Sequence, residues 1–179
     1  LKQSRRIPDR VPMTTKELNI LSIDFDWIKT LKHQQELLTY LFKNINTNKD
    51  IVFSNDHINI YPLFKSGFNE INLVNIDDHH DYFYNHDKLD DGNWLYHLSK
   101  IYKINYQWIC NNDSEHIKEQ SYRKNLKSYS YSNSLLDIKK LNFDVYFMCS
   151  SPNCNNSIGI TSYEIAKNIF LKEDNSIEN

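Results

Sequence analysis

Residues 71–81 read Ile-Asn-Leu-Val-Asn-Ile-Asp-Asp-His-His-Asp, an apolar run that turns abruptly into five ionisable groups. The run of Ile, Leu and Val predicts a core strand over 71–76. Asp77, His79 and Asp81 stand at alternate positions, so an extended chain carries all three to one side. Carboxylate oxygens and imidazole nitrogens presented together suit Mn²⁺, Fe²⁺ or Zn²⁺. Like charges crowded this closely repel unless a counter-charge lies among them, and a divalent cation supplies it most simply.

Two other stretches share the design. Residues 21–27 read Leu-Ser-Ile-Asp-Phe-Asp-Trp, predicting a strand over 19–26 with Asp24 and Asp26 on one face. Residues 51–57 read Ile-Val-Phe-Ser-Asn-Asp-His, a strand over 51–55 running into His57. In open α/β sheets, ligands bind beyond the carboxyl ends of the strands, so three such ends can converge on one site. Helical periodicity predicts helices over 28–45, 93–102 and 162–171, with a short one over 135–140. Strands are expected over 104–110 and 143–149. Residues 58–62 extend the second strand or begin a hairpin, 82–91 form a loop over the site, and 111–134 carry no clear element. Strands alternating with helices predict an α/β fold, a three-layer α/β/α sandwich with a mostly parallel sheet.

A chain of 179 residues fits one domain, and 40% hydrophobic content suffices for its core. The basic, Pro-containing residues 1–12 precede Met13 and read as a tag or disordered leader, which leaves 13–179 as the single domain. A formal net charge of −2 gives no case for a nucleic-acid partner. No apolar run approaches a membrane span, and no signal-peptide core is visible. Cys110, Cys149 and Cys154 are odd in number and lack metal-site spacing, so reduced packing or surface thiols in a cytoplasmic protein are expected.

Taken together, Asp24, Asp26, His57, Asp77, His79 and Asp81 offer four carboxylates and two imidazoles, a set that two divalent cations would balance in charge. It resembles the ureohydrolase superfamily of arginases and agmatinases. Ser54-Asn55-Asp56-His57 is similar to that family's Gly-Gly-Asp-His segment, Asp77-Asp78-His79-His80-Asp81 to its Asp-Ala-His-x-Asp segment, and Ser22-Ile23-Asp24-Phe25-Asp26 to its Ser-x-Asp-x-Asp segment. Here the Ser-x-Asp-x-Asp segment comes first rather than late, no Asp-Pro follows it, and Ser54 and Asn55 replace the two glycines. The chain is also shorter than an ordinary arginase. The nearer likeness is to the compact arginase-like group that includes peptide arginases, which carries similar Asp-Asp-His and Ile-Asp-x-Asp-aromatic segments.

The resemblance implies an arginase-like sandwich and two Mn²⁺ ions per chain, with Fe²⁺ or Zn²⁺ as alternatives. It implies a metal-bridging hydroxide that attacks a guanidinium carbon and releases urea, from arginine in a peptide among other substrates. Asp81 or Asp26 would orient that hydroxide. His86, in the loop after the ligand run, ranks ahead of His97 and His116 as proton donor to the leaving amine. His80, Asn93, Trp94 and Ser150 are the candidate substrate contacts. Asp78 and His80 alternate with the ligands and are expected to point away, as supports of neighbouring groups. The plainer readings are a solvated turn at 77–81, an exposed strand face at 24–26 and an ordinary hydrogen-bonded His57. Two other functions stay open: a one-metal amidohydrolase like the deacetylases, and a non-catalytic domain that keeps metal for stability. The oligomeric state is not legible.

Overall fold

The computed structural model describes residues 16–64, 67–83, 88–112, 114 and 125–172. The leader 1–12, His86 and His116 lie outside them. Among the described residues, six strands form one sheet: β1 (Glu17–Asp24), β2 (Asp50–Ser54), β3 (Glu70–Ile76), β4 (Lys103–Ile109), β5 (Ser128–Ser132) and β6 (Val145–Cys149). Their spatial order is β2-β6-β1-β3-β4-β5, and every neighbouring pair is parallel.

Alternate residues of each strand part to opposite faces. Ile20 and Leu73 enter one core with Ile104, Trp108 and Phe147, while Leu21, Ile23, Val74 and Ile76 enter a second with Ile109 and Met148. Burial on both faces is why β1 and β3 read as nearly continuous apolar runs. The second core is roofed by α1 (Leu31–Asn44), through Leu37 and Leu41, and by α3 (Ser157–Lys172), through Tyr163, Ala166 and Phe170. The first is roofed by α2 (Trp94–Ser99), through Trp94, Leu95 and Leu98, and by a 3₁₀ turn over His57–Leu63, through Ile60. The chain is therefore an α/β three-layer sandwich whose sheet is wholly parallel. Fully burying a leucine contributes about 1.5–3 kcal/mol. That docking, more than intrinsic propensity, holds a helix of this length. No helix among the described residues is long and apolar enough to cross a membrane.

Several boundaries differ from the sequence pattern, each for a local reason. β1 ends at Asp24 because the Asp24 carboxylate accepts the Asp26 N–H (3.1 Å) and caps a 3₁₀ turn over Phe25–Trp27. Asp24 and Asp26 thus share no strand face; the turn brings Asp26 round. α1 starts at Leu31 rather than 28, where the Thr30 hydroxyl accepts the His33 N–H (3.2 Å). Residues 57–63 neither extend β2 nor form a hairpin, since the Asp56 carboxylate accepts the Ile58 N–H (3.1 Å) and opens the 3₁₀ turn. β5 falls where no element is expected, and the short helix over 135–140 is a single 3₁₀ turn, Leu135–Asp137. α3 begins at Ser157, not 162, because Asn156 Oδ1 accepts the N–H groups of Ile158 (2.9 Å) and Gly159 (3.1 Å). Gly159 sits hard against the turn that carries Asp26: a Cβ there would lie 2.5 Å from the Phe25 carbonyl oxygen.

Candidate metal centre

β1 and β3 are paired neighbours, yet the chain leaves β1 toward α1 on one face and β3 toward α2 on the other. Divergent connections of this kind open a crevice beyond the carboxyl ends of the strands. The face bearing Ile20 and Leu73 continues, two residues at a time, through Ser22 and Asp24 on β1 and through Asn75 and Asp77 on β3. All four are buried. The apolar core thus becomes a polar site at that edge without a change of strand.

His57 enters from the 3₁₀ turn, with Nδ1 3.3 Å from Asp24 Oδ2, 3.3 Å from Asp77 Oδ2 and 3.2 Å from Asp81 Oδ2. His79 Nδ1 lies 2.9 Å from Asp26 Oδ2 and 3.6 Å from Asp77 Oδ1. Asp77 therefore turns one oxygen to each imidazole. A single N–H cannot satisfy three carboxylates at once. Donors about 2.1 Å from a shared ion stand roughly 3.0–3.4 Å from one another, so the spacing fits coordination. Two overlapping sets result, Asp24/His57/Asp77 and Asp26/Asp77/His79, and Asp77 belongs to both. Mixed carboxylate and imidazole donors suit Mn²⁺, Fe²⁺ or Zn²⁺.

Residues 77–81 are not the extended strand that alternation predicts. The His79 N–H folds back to Asp77 Oδ1 (2.7 Å), the indole N–H of Trp108 holds the Asp77 carbonyl (2.9 Å), and Asp81 takes a left-handed φ of 53°. That strained turn swings Asp81 inward, where Oδ2 accepts from Trp94 Nε1 (2.8 Å) and Asn75 Nδ2 (3.3 Å). Asn75 Nδ2 also reaches Asp77 Oδ2 at 3.1 Å. On the other side the Ser151 hydroxyl donates to Asp24 Oδ2, from a residue itself at φ 37°. Asp78 does face away, pairing with Lys29 at 3.1 Å, while its N–H donates to Asp26 Oδ1 (3.3 Å).

Crowding sets the ionisation. Burial, aided by the charges of Asp24 and Asp77, pushes Asp26 up to about 8. Burial and then Asp77 raise Asp81 well above the usual carboxylate range. Burial works the same way on Asp77, but the hydrogen bonds of His57 and His79 outweigh it and hold its carboxyl below that range. Burial opposes a charge on His57 as well, yet Asp81, Asp24 and Asp77 together lift it well above an ordinary imidazole. Hydrogen bonding to Asp26 and then Asp77 raises His79 to about 12. Four buried aspartates thus draw positive charge into the site, which is what a cation-binding centre requires.

Asp24, Asp26, His57, His79 and Asp81 open onto a cavity of 190 Å³, walled also by Asp56, Phe83, Asp91, Gly92 and Ser151, with Asp77 buried behind them. Asp91 is raised to about 6 by burial and by its neighbour Asp56. A wider cleft of 580 Å³ between α1 and residues 133–136 gathers no comparable donor set among the described residues.

None of the four candidate substrate contacts lines the cavity. His80 is buried against the rings of Phe83 and Trp108, and its Nδ1 accepts the Tyr82 N–H (3.1 Å). Asn93 is buried in the 88–93 turn, accepting from Asp90 N (2.9 Å) and donating to Lys88 O (2.9 Å). Trp94 is buried behind Asp81 as its hydrogen-bond donor, and the Ser150 hydroxyl donates to Asn55 Oδ1 (3.1 Å). These residues shape the ligand loops instead. Of the proton-donor candidates, His97 is not on the cavity wall either. Asn75 lies in none of the motifs, while Ser22, which opens the Ser-x-Asp-x-Asp segment, and Asp91 and Ser151 are site residues outside the six candidate ligands. Ser22 and Asn75 carry a readable signal, a polar residue inside an apolar strand two positions before a proposed ligand.

Comparisons of the chain with protein-family models, curated proteins and solved structures find no match.

Proposed function

We propose that this chain is a hydrolase that binds two divalent cations, Mn²⁺ first among them, and cleaves a guanidinium C–N bond to give urea and an amine, with arginine in a peptide among its substrates. The observation that carries the reading is Asp77, whose two oxygens face two separate histidines within two overlapping donor sets. A one-metal amidohydrolase needs only one such set. Two bound cations would acidify a water held between them and offset the charge of its attack.

The protein's own part is to orient and to exclude. Asp26 and Asp81 both reach the cavity wall, where either can accept a hydrogen bond from the attacking water or hydroxide and orient it. Trp94 and Asn75 keep Asp81 from turning away. Asp56 and Asp91 add negative charge to the wall, and no Lys or Arg lines it among the described residues, which favours a cationic head group over an anionic one.

The test is elemental analysis after Mn²⁺ reconstitution, alongside a urea assay on arginine, agmatine and an arginine-containing peptide. About two Mn per chain with urea release supports the proposal. One Zn per chain with amide cleavage would replace it by the one-metal reading. Bound metal with no turnover on any guanidinium would leave a metal-stabilised binding domain.

A further inference from the structure

His57 Nε2 lies 2.8 Å from the Ser22 hydroxyl, and both residues are buried. The ring is fixed on two other sides. It stacks on Phe147 with centroids 5.7 Å apart and planes 10° apart, and Trp94 lies at 5.1 Å. Turning the ring over would carry Nδ1 away from Asp24, Asp77 and Asp81 and aim it at the hydroxyl. Ser22 belongs to β1, two residues before Asp24 on the same face, so one strand supplies a ligand and the partner of another ligand.

The geometry points to Ser22 as the positioning residue of the centre: its hydroxyl accepts the His57 Nε2 proton and so keeps the Nδ1 lone pair for the metal. This rests on the metal-site reading above and adds the ligating atom and the residue that selects it. A metal-bound imidazole needs its other nitrogen held by an acceptor, which sets both tautomer and ring orientation. Most such acceptors are carboxylates or carbonyls. A neutral hydroxyl adds no fifth negative charge to a site that already holds four aspartates.

The experiment uses the full chain with ¹⁵N-labelled histidine, loaded with diamagnetic Zn²⁺, and long-range ¹H–¹⁵N correlation of the His57 ring. The expected result is a proton on Nε2 and a metal-shifted Nδ1. Calorimetric Mn²⁺ titration then compares wild type with Ser22→Ala and Ser22→Thr. Ser22→Ala is expected to weaken binding about 10- to 100-fold, and Ser22→Thr, which keeps the hydroxyl, to restore it. A proton on Nδ1 with Nε2 on the metal overturns the inference. So does Mn²⁺ affinity in a folded Ser22→Ala protein equal to that of wild type. If Ser22→Ala does not fold, the wild-type spectrum decides alone. Failure of wild type to bind Mn²⁺ or Zn²⁺ at all is a different result: it removes the metal-site reading itself.

Discussion

The indole N–H of Trp94 donates to Asp81 Oδ2 at 2.8 Å, joining the first turn of α2 to a carboxylate thirteen residues earlier. The large ring is wholly buried, so it serves the core and the site together. Trp94→Phe keeps most of the packing and removes the donor. Leaving a buried acceptor short of one donor costs about 1–3 kcal/mol. The variant should fold, melt several degrees lower, and hold Mn²⁺ about 10-fold more weakly. Unchanged calorimetric affinity would mean that Asp81 needs no such anchor.

Asp77 belongs to both donor sets, whereas His57 belongs to one. Asp77→Ala should therefore lose both ions, and His57→Ala should keep about one per chain. Counting Mn by elemental analysis after gel filtration settles it. Equal loss in both variants would point to a single ion held by all six residues.

A cation entering this site would have to displace protons from it. The raised pKa of His57, and that of His79 at about 12, mean that both rings carry a second proton, as imidazolium, at neutral pH in the cation-free polypeptide. A coordinated imidazole is neutral and keeps one N–H, so binding would release the second proton of each ring and the apparent affinity would rise with pH. Below about 8 the slope should steepen, because Asp26 also holds a proton there. Mn²⁺ calorimetry in two buffers of different ionisation enthalpy counts the released protons directly. An affinity flat across neutral pH would contradict this picture.

Gly159 connects fold to site. A Cβ at that position would lie 2.0 Å from Asn155 Oδ1 and 2.5 Å from the Phe25 carbonyl oxygen. Gly159→Ala must push α3 off the turn that carries Asp26, at about 1–3 kcal/mol for the overpacking. Thermal melting should record that loss, and Mn²⁺ binding should weaken with it although no ligand has changed. Wild-type melting would show that α3 can shift without strain.

Much of this arrangement is written in short patterns. The apolar strands around Ile23 and Val74 are legible because burial on both faces leaves continuous hydrophobic runs, the half-buried edge strand around Phe53 keeps a shorter run, and the acidic and imidazole groups follow directly at their ends. The turns are harder. Asp26 and Asp81 arrive by a 3₁₀ turn and by a left-handed residue, and neither geometry has a period to detect. β5 escapes notice because Ser-Tyr-Ser-Tyr-Ser, at the sheet edge, carries no apolar run. Asn75 looks like filler, and Ser22 like no more than the start of a motif, until the β1–β3 register sets Ser22 beside Asn75. His80, Asn93 and Ser150 read as substrate contacts because they neighbour the motifs, but proximity in sequence says nothing of which way a loop side chain turns.

The sheet order has a consequence for the timing of assembly. β1 bears Asp24 and emerges first from the ribosome, yet one of its two flanking strands, β6, is the last of the six to be made. Ser151, which holds Asp24 in place, comes later still. During synthesis β1 must wait with one edge open until β6, which begins only at Val145, has been added. The candidate metal centre would therefore be a late product of translation: ribosome-bound chains that stop before β6 should take up no Mn²⁺, and the open edge of β1 is the surface that a chaperone would have to shield until then.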